Sequence, residues 1–483
     1  MRHKISPWWW ALGLILGLRL ASMALLPLAG TSEPRYAEVA RLMALRGDWI
    51  TPWFTPELPF WGKPPLSFWT EALAFRLLGV TEFAARLPSW LATLGSLGLL
   101  FVYARRYFGD PIAKGALLIY ATCALVYIAS GAVITDPFLA LATTWAMVSL
   151  AMAAREPRPV WSYGFFVAVA LGLLAKGPLM LVLVVGPMLP LVILYPSIRS
   201  AFKQLPWFSG LALTLLLSVP WYLLAELKTP GFLNYFLVGE HFLRFVDSGW
   251  AGDLYGVAHK RMKGAIWGDA LVASFPWGLV ALALLLRQLW NPLQRSALWQ
   301  TRRDPDRMYL LAWALFTPTF FSLSGNILWT YMLPALAPFS VLLALALAST
   351  WVKHTVARRL LLALSGLMPL LFAVYLVLGM VEPLRLNTEK HLVTYAIQHM
   401  PAGSQLLYLN KVPFSATFYS RGQAGVTTLQ DLTSQTGQAP GLYLALPKHD
   451  LDNVSKILNQ PLRPLFESRE FVLTEVAGRS ASP

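Results

Sequence analysis

Charge is scarce in this chain: 13% of its 483 residues are Asp, Glu, Lys or Arg, against about 25% in soluble domains. An ordinary cytosolic enzyme does not have this composition. Cysteine is scarcer still, with Cys123 alone, so neither an internal disulfide framework nor a Cys-x-x-Cys metal site can form. There is no Gly-rich phosphate cradle at a strand-to-helix turn, no low-complexity tract and no repeat of fixed period. What the chain has in abundance is apolar side chains, 56% of the total, with a mean hydropathy of +0.54. A length that would suggest about three soluble domains asks instead how often the chain crosses a bilayer.

A hydrocarbon core about 30 Å thick takes roughly 20 helical residues, and apolar runs of that length satisfy their backbone there only as helices. Eleven stretches qualify, about 7–29, 86–104, 114–134, 137–154, 161–175, 177–195, 206–226, 268–289, 308–324, 329–349 and 359–380. The basic start Met1-Arg2-His3-Lys4 runs into the first of them without a small-residue cleavage pattern, which reads as a span and not a removable signal. Basic residues gather in alternate connections: Arg2 and Lys4; Arg105, Arg106 and Lys114; Arg155 and Arg158; Arg199 and Lys203; Arg295, Arg302, Arg303 and Arg307; Lys353, Arg358 and Arg359. Cytoplasmic loops carry such an excess. Much of the net charge of +15 is therefore topological, and no nucleic-acid partner is expected.

With the N-terminus in the cytoplasm and an odd number of spans, three sizeable segments face out: residues 30–85, 227–267 and 381–483. The first is rich in aromatics (Trp49, Trp53, Phe54, Phe60, Trp61, Phe68, Trp69), which suits amphipathic helices in the headgroup zone. The last has ordinary soluble polarity, and runs such as Gln405-Leu406-Leu407-Tyr408-Leu409 and Gly441-Leu442-Tyr443-Leu444-Ala445-Leu446 alternate with turn residues and helical stretches. The expectation is an all-α polytopic membrane domain over 1–380, with the site built by outer loops 30–85 and 227–267. A small extracytoplasmic α/β domain follows over 381–483.

An ionisable side chain at membrane depth costs about 2.5–3.5 kcal/mol on insertion scales and marks a functional hypothesis by default. Asp136 opens the fourth span, Lys176 lies between two nearly continuous apolar runs, and Arg19 sits inside the first span. The outer loops add Ser32-Glu33-Pro34-Arg35-Tyr36-Ala37-Glu38 and Gly239-Glu240-His241-Phe242-Leu243-Arg244-Phe245. Each has a plain structural alternative. Asp136 before Pro137 suits a helix start, Lys176 can snorkel, Arg35 and Glu38 can pair along a helix, and His241 can simply pack. Independent caps and snorkels need not all choose one face, whereas these residues gather at the outer one.

Those motifs, with Gly47-Asp48-Trp49-Ile50-Thr51-Pro52, Gly62-Lys63-Pro64-Pro65-Leu66-Ser67-Phe68-Trp69, Thr135-Asp136-Pro137, Ala175-Lys176-Gly177-Pro178 and Thr330-Tyr331-Met332-Leu333-Pro334, resemble the 4-amino-4-deoxy-L-arabinose lipid A transferase family. That family belongs to the wider protein-mannosyltransferase-like group with the C-type glycosyltransferase fold. The resemblance implies about 11 to 13 transmembrane helices in the bacterial cytoplasmic (inner) membrane. It also implies an enzyme that moves a sugar from a polyprenyl-phosphate carrier to a lipid or glycan acceptor, such as lipid A, outside that membrane. The partners are then the polyprenyl-phosphate sugar donor, the acceptor and membrane lipids; no feature selects an oligomeric state.

For that chemistry Lys63, Lys176 and Arg244 are the expected donor-phosphate cations, stabilising the charge that builds on the leaving phosphate. Arg35, Tyr36, Glu240, His241 and Tyr331 are the expected pocket. In the family pattern an Asp-Glu pair opens the first loop; here Ser32 takes the first place, leaving Glu33 as the expected catalytic acid and Asp136 as the second choice. One direct displacement inverts the anomeric centre. Aminoarabinose transferases also carry a Glu before the Lys that corresponds to Lys63, which can join the loop histidine in holding zinc. Here it is Gly62. Glu240 and His241 alone fall short of the roughly three protein ligands of catalytic zinc, so no metal or other cofactor is expected to be obligatory. Ile327 stands where the family commonly has a Lys, and together these losses point to a donor or acceptor other than aminoarabinose and lipid A. The rival readings are a transporter or flippase of lipid-linked glycans, which predicts inverted repeats and midplane helix breaks, and an inactive lipid-binding scaffold.

Overall fold

Long apolar runs fold here into helices whose ends, breaks and exposed flanks are set by a few polar residues. The structure, a computed structural model, describes residues 7–247, 249–256, 260–291, 301–351, 354–401, 403–435 and 442–476. Arg2, Lys4, Arg295 and Lys353, used above for orientation, lie outside the described residues. In chain order the first helices are α1 (Pro7–Ser22), α2 (Ser32–Arg46), α3 (Leu66–Leu78), α4 (Glu82–Phe108), α5 (Asp110–Thr122) and α6 (Ala124–Ala129). Then come α7 (Asp136–Arg155), α8 (Pro159–Lys176), α9 (Leu179–Leu194), α10 (Pro196–Lys203) and α11 (Trp207–Lys228). A π-helical segment, Asn234–Leu243, follows, and further helices occupy Ile266–Ala273, Trp277–Trp290, Pro305–Phe321, Leu333–Trp351, Thr355–Ser365 and Leu367–Val381.

All eleven predicted stretches fall on helical segments, but not all are single long spans. Among the described residues six helices are long and apolar enough to cross a bilayer, or seven if Ile266–Ala273 and Trp277–Trp290, bent by 112°, count as one. α1, α9 and Pro305–Phe321 run only 16, 16 and 17 residues. The stretch expected at 114–134 breaks at Cys123, and its helix ends at Ala129. Backbone freed inside a membrane must find other partners: Ala124 N–H donates to Phe275 O at 2.8 Å, and the Trp277 indole donates to Thr122 Oγ1 at 2.9 Å. Arg19 closes the other end of α6 by donating to the Tyr127 and Ile128 carbonyls, both at 2.8 Å, with its guanidinium 4.4 Å from the Phe372 ring centroid. α7 forms the centre of the bundle, whereas α11 and the Thr355–Val381 pair present most of their surface outward. Exposed leucines such as Leu216 and Leu360 are as comfortable in lipid as in a core.

The loops with basic residues come together at one end, where Arg106 pairs with Glu156 and Arg155 with Asp306 and Tyr195 Oη donates to Arg302 O at 2.7 Å. The opposite end carries α2, α3 and the last domain. The aromatics of 49–61 lie in an irregular loop between these two helices, not on an amphipathic helix as expected. The Asp48 carboxylate organises that loop, accepting from the Ile50 and Thr51 amides at 3.1 Å and the Trp53 indole at 2.8 Å. Phe54 and Phe60 then pack on Tyr255, 5.1 and 4.7 Å between ring centroids, which joins the first outer loop to the second.

The last domain is α/β, as the alternating runs predict. Strands β1 (Gln405–Leu409), β2 (Gly425–Thr427), β3 (Leu442–Pro447), β4 (Pro464–Glu467) and β5 (Phe471–Val476) form one sheet in the order β2-β1-β3-β5-β4. β1 is parallel to β2 and β3, and β5 is antiparallel to β3 and β4. The domain is anchored on the membrane helices: Thr388 Oγ1 donates to Leu28 O at 2.8 Å, Tyr419 Oη accepts from Leu28 N at 2.7 Å, and Lys390 pairs with Glu82 at 2.6 Å.

Candidate active site

A cavity of about 1520 Å³ opens where α2, the turn before α7, the α8–α9 turn, the π-helical segment, residues 324–331 and the last domain meet. A pocket for one small ligand holds about 300–1,000 Å³; this one has room for two substrates. Nine of the ten predicted site residues line it: Arg35, Tyr36, Lys63, Asp136, Lys176, Glu240, His241, Arg244 and Tyr331.

Glu33 is the exception and corrects the sequence reading. Successive helical residues point about 100° apart, so with Ser32, Arg35 and Tyr36 toward the cavity, Glu33 turns to the other side of α2. There its carboxylate pairs with Arg86 at 2.8 Å and accepts from the Val133 amide at 3.1 Å, while Arg86 also donates to the Met23, Leu26 and Pro27 carbonyls. Burial would push the Glu33 carboxyl up, but Arg86 and the Val133 N–H hold it below its ordinary range. It is a clamp between α2, α4 and the loop that leads into Asp136.

The Asp136 side chain does not cap α7, and Lys176 does not snorkel. Both are buried, and the ammonium donates to Asp136 Oδ1 at 2.8 Å while lying 5.2 Å from the Tyr331 ring centroid. Nor do Arg35 and Glu38 pair: Glu38 is held by Arg41 at 2.7 Å, and Arg35 donates to Tyr255 O at 2.8 Å. A second charged cluster lies across the cavity. Glu240 receives Lys63 at 3.4 Å and Arg244 at 3.0 Å, and Arg244 also reaches Asp253 at 3.4 Å. Burial pushes the Glu240 carboxyl up, yet Lys63 and Arg244 together hold it below its usual range.

The π-helical turn makes this cluster possible. Widened helical turns are frequent at functional sites, and here His241 Nδ1 lies 2.8 Å from the carbonyl of Phe236, five residues back. Its Nε2 lies 3.0 Å from Lys176 O, which fixes the segment to the end of α8. Gly177 permits that approach: its φ is +66°, and a Cβ there would stand 2.6 Å from Phe236 and 3.3 Å from His241.

Residues 62–223 match the family model described as dolichyl-phosphate-mannose-protein mannosyltransferase. An undecaprenyl phosphate-alpha-4-amino-4-deoxy-L-arabinose arabinosyl transferase of Yersinia pestis (strain Pestoides F) is 30% identical over 470 residues, covering 93% of this chain and 78% of the relative. The transferase so named from Pectobacterium atrosepticum is 31% identical over 372 residues, 74% of this chain and 62% of the relative. The chain belongs to this arabinosyl transferase family. Its fold agrees: the crystal structure of ArnT from Cupriavidus metallidurans bound to undecaprenyl phosphate superposes with a TM-score of 0.80 at 18% identity, covering 99% of this chain and all of that one. The chain is therefore an integral-membrane glycosyltransferase with the C-type fold.

Within this family the departures now have surroundings. Ser32 faces the cavity in the place of the usual Asp. Ile327 is buried. Gly62 is tightly surrounded, since a Cβ would stand 3.1 Å from the Phe60 ring, and both nitrogens of His241 already face carbonyl oxygens. Among the described residues no three His, Cys, Asp or Glu side chains converge, so those residues by themselves do not make up a zinc site. Sequence reasoning missed Asp253 and the cavity residues of the last domain, among them Lys411, Phe414 and Arg421. None lies in a motif, and only the folded contact between domains brings them in.

Proposed function

We propose that the cavity transfers a sugar from a polyprenyl-phosphate carrier to an envelope acceptor such as lipid A, with Lys63, Lys176 and Arg244 binding the donor phosphate. The observation that carries this is their convergence from three distant segments on one cavity whose other wall is apolar. Leu179, Val182, Phe245, Phe320, Phe321 and Leu328 form that wall, which suits a polyprenyl tail entering from lipid. The basic loops face the cytoplasm by the positive-inside rule, so the N-terminus is cytoplasmic and the cavity extracytoplasmic.

The acceptor oxygen attacks the anomeric carbon, the bond from that carbon to the phosphate oxygen breaks, and the electron pair leaves with the phosphate. The configuration inverts. The three cations stabilise the leaving group more than the ground state, which is the part of binding that accelerates chemistry. Ser32 supplies no base, Glu33 points elsewhere, and Asp136 is engaged by Lys176. An acceptor phosphate oxygen, already anionic, needs none. No metal is assigned a part in this step. With Gly62 in the cavity lining and Ile327 buried between the lining residues Asn326 and Leu328, where the family resemblance has a Glu and a Lys, the sugar differs from aminoarabinose in its polar substituents.

The test is reconstituted transfer from tagged polyprenyl-phosphate sugars. A neutral-sugar donor should outpace the aminoarabinosyl donor, chelator washing should change nothing, and Lys63→Ala should lower turnover by roughly 10²-fold, the cost of losing one well-placed charge stabiliser. Undiminished turnover in Lys63→Ala contradicts the site; preference for aminoarabinose contradicts the reading of the sugar.

A further inference from the structure

Eight basic and five acidic residues line the cavity, and their arrangement is uneven. In the inner half three cations face three carboxylates: Lys63 and Arg244 share Glu240 and Asp253, and Lys176 holds Asp136. That half is neutral before any ligand arrives. In the outer half Arg41 is neutralised by Glu38, Arg46 donates to the Pro56 carbonyl, and Glu57 is the remaining carboxylate; Arg35, Lys411 and Arg421 have no carboxylate within 4 Å among the described residues.

These three come from both domains. The Arg35 guanidinium lies 5.7 Å from the Phe414 ring centroid and 5.0 Å from that of Tyr36, while the Lys411 ammonium lies 6.0 Å from the same Phe414 ring. Arg35 Nε is buried without a hydrogen-bond partner, an expensive state for a charged donor. Arg421 is presented by a turn in which it and Gly422 have φ of +56° and +82°. Gly422 sits against the Arg41–Glu38 pair, and a Cβ on it would stand 3.4 Å from Arg41 Nη2, so the turn is seated on α2. The Phe414 ring thus has a cation from each domain within about 6 Å, and an anion between the domains would neutralise both.

We propose that Arg35, Lys411 and Arg421 form a second anion subsite, which binds a phosphate of the acceptor other than the one that reacts. The subsite rests on the transferase reading of the same cavity and adds to it that acceptor selection belongs partly to the last domain. Guanidinium and ammonium groups together suit a phosphate monoester on a lipid headgroup, the first for paired hydrogen bonds and the second as a point charge.

The experiment measures binding apart from turnover. The full chain, purified in detergent, is titrated with bisphosphorylated lipid A, with its monophosphoryl form, and with polyprenyl phosphate, following tryptophan fluorescence. The wild type should bind the bisphosphorylated lipid at least tenfold more tightly than the monophosphoryl form. Lys411→Gln/Arg421→Gln should reduce that ratio to below threefold, with polyprenyl phosphate affinity within twofold of wild type. Both replacements lie on exposed side chains, and a matched thermal unfolding midpoint confirms that the variant folds. A ratio that is absent in the wild type, or that survives in the double variant, overturns the subsite. Transfer assayed in parallel keeps the two claims apart: the binding pattern without turnover refutes the transferase reading alone, and turnover without the pattern refutes the subsite alone.

Discussion

Among the charged residues near the cavity, Glu33 shows how one position on a helix decides between chemistry and architecture. Its neighbour Ser32 faces the cavity, whereas Glu33 completes a largely buried ion pair whose other member is also bound by three carbonyls. Breaking such a pair by neutralising one partner costs roughly 3–5 kcal/mol. Glu33→Gln should lower the thermal unfolding midpoint while transfer per folded molecule stays within about threefold. A hundredfold loss of transfer at unchanged stability would restore Glu33 as the acid. The sign of the pH effect follows from a carboxyl held below its ordinary range: its contribution is complete above that range and is lost as pH falls through the depressed value. That Ser32, Arg35, Tyr36, Lys63, Asp136, Lys176 and Arg244 belong to one region was legible from their shared outer face. Which side of α2 Glu33 takes was not, because the alternating polar and apolar residues of Ser32–Arg46 pack on protein on nearly every side.

Helix ends and breaks carry the site. α8 stops at Lys176 because Gly177 takes a φ of +66°, and the same glycine lets the π-helical segment close on it. Gly177→Ala adds strain of about 1–3 kcal/mol for a side chain in that conformation and drives a methyl group into Phe236. Polyprenyl phosphate affinity should fall at least fivefold, read by the same fluorescence titration, since Lys176, Glu240 and Arg244 all depend on that contact; unchanged affinity would show that the turn does not position them. Each of the eleven apolar runs marked a helical stretch, but none showed the breaks at Cys123 and between Ala273 and Trp277. Those depend on partners far along the chain, such as Ala124 N–H with Phe275 O, and hydropathy alone carries no trace of them. The strands of the last domain were legible in part, since the alternating runs at β1 and β3 announced themselves while the short β2 and β4 did not.

At the scale of the whole molecule, acids and cations from Arg35 to Arg421 share one cavity, half balanced within itself and half positive, roofed by a domain that composition alone would have set aside as a separate unit. The most direct test is a structure determined with polyprenyl phosphate added. Its phosphate should lie within about 3.2 Å, ordinary hydrogen-bond reach, of at least two of Lys63, Lys176 and Arg244, with the tail along Leu179, Val182 and Phe320. A phosphate bound away from all three, or a tail leaving on the side of the last domain, would contradict that placement.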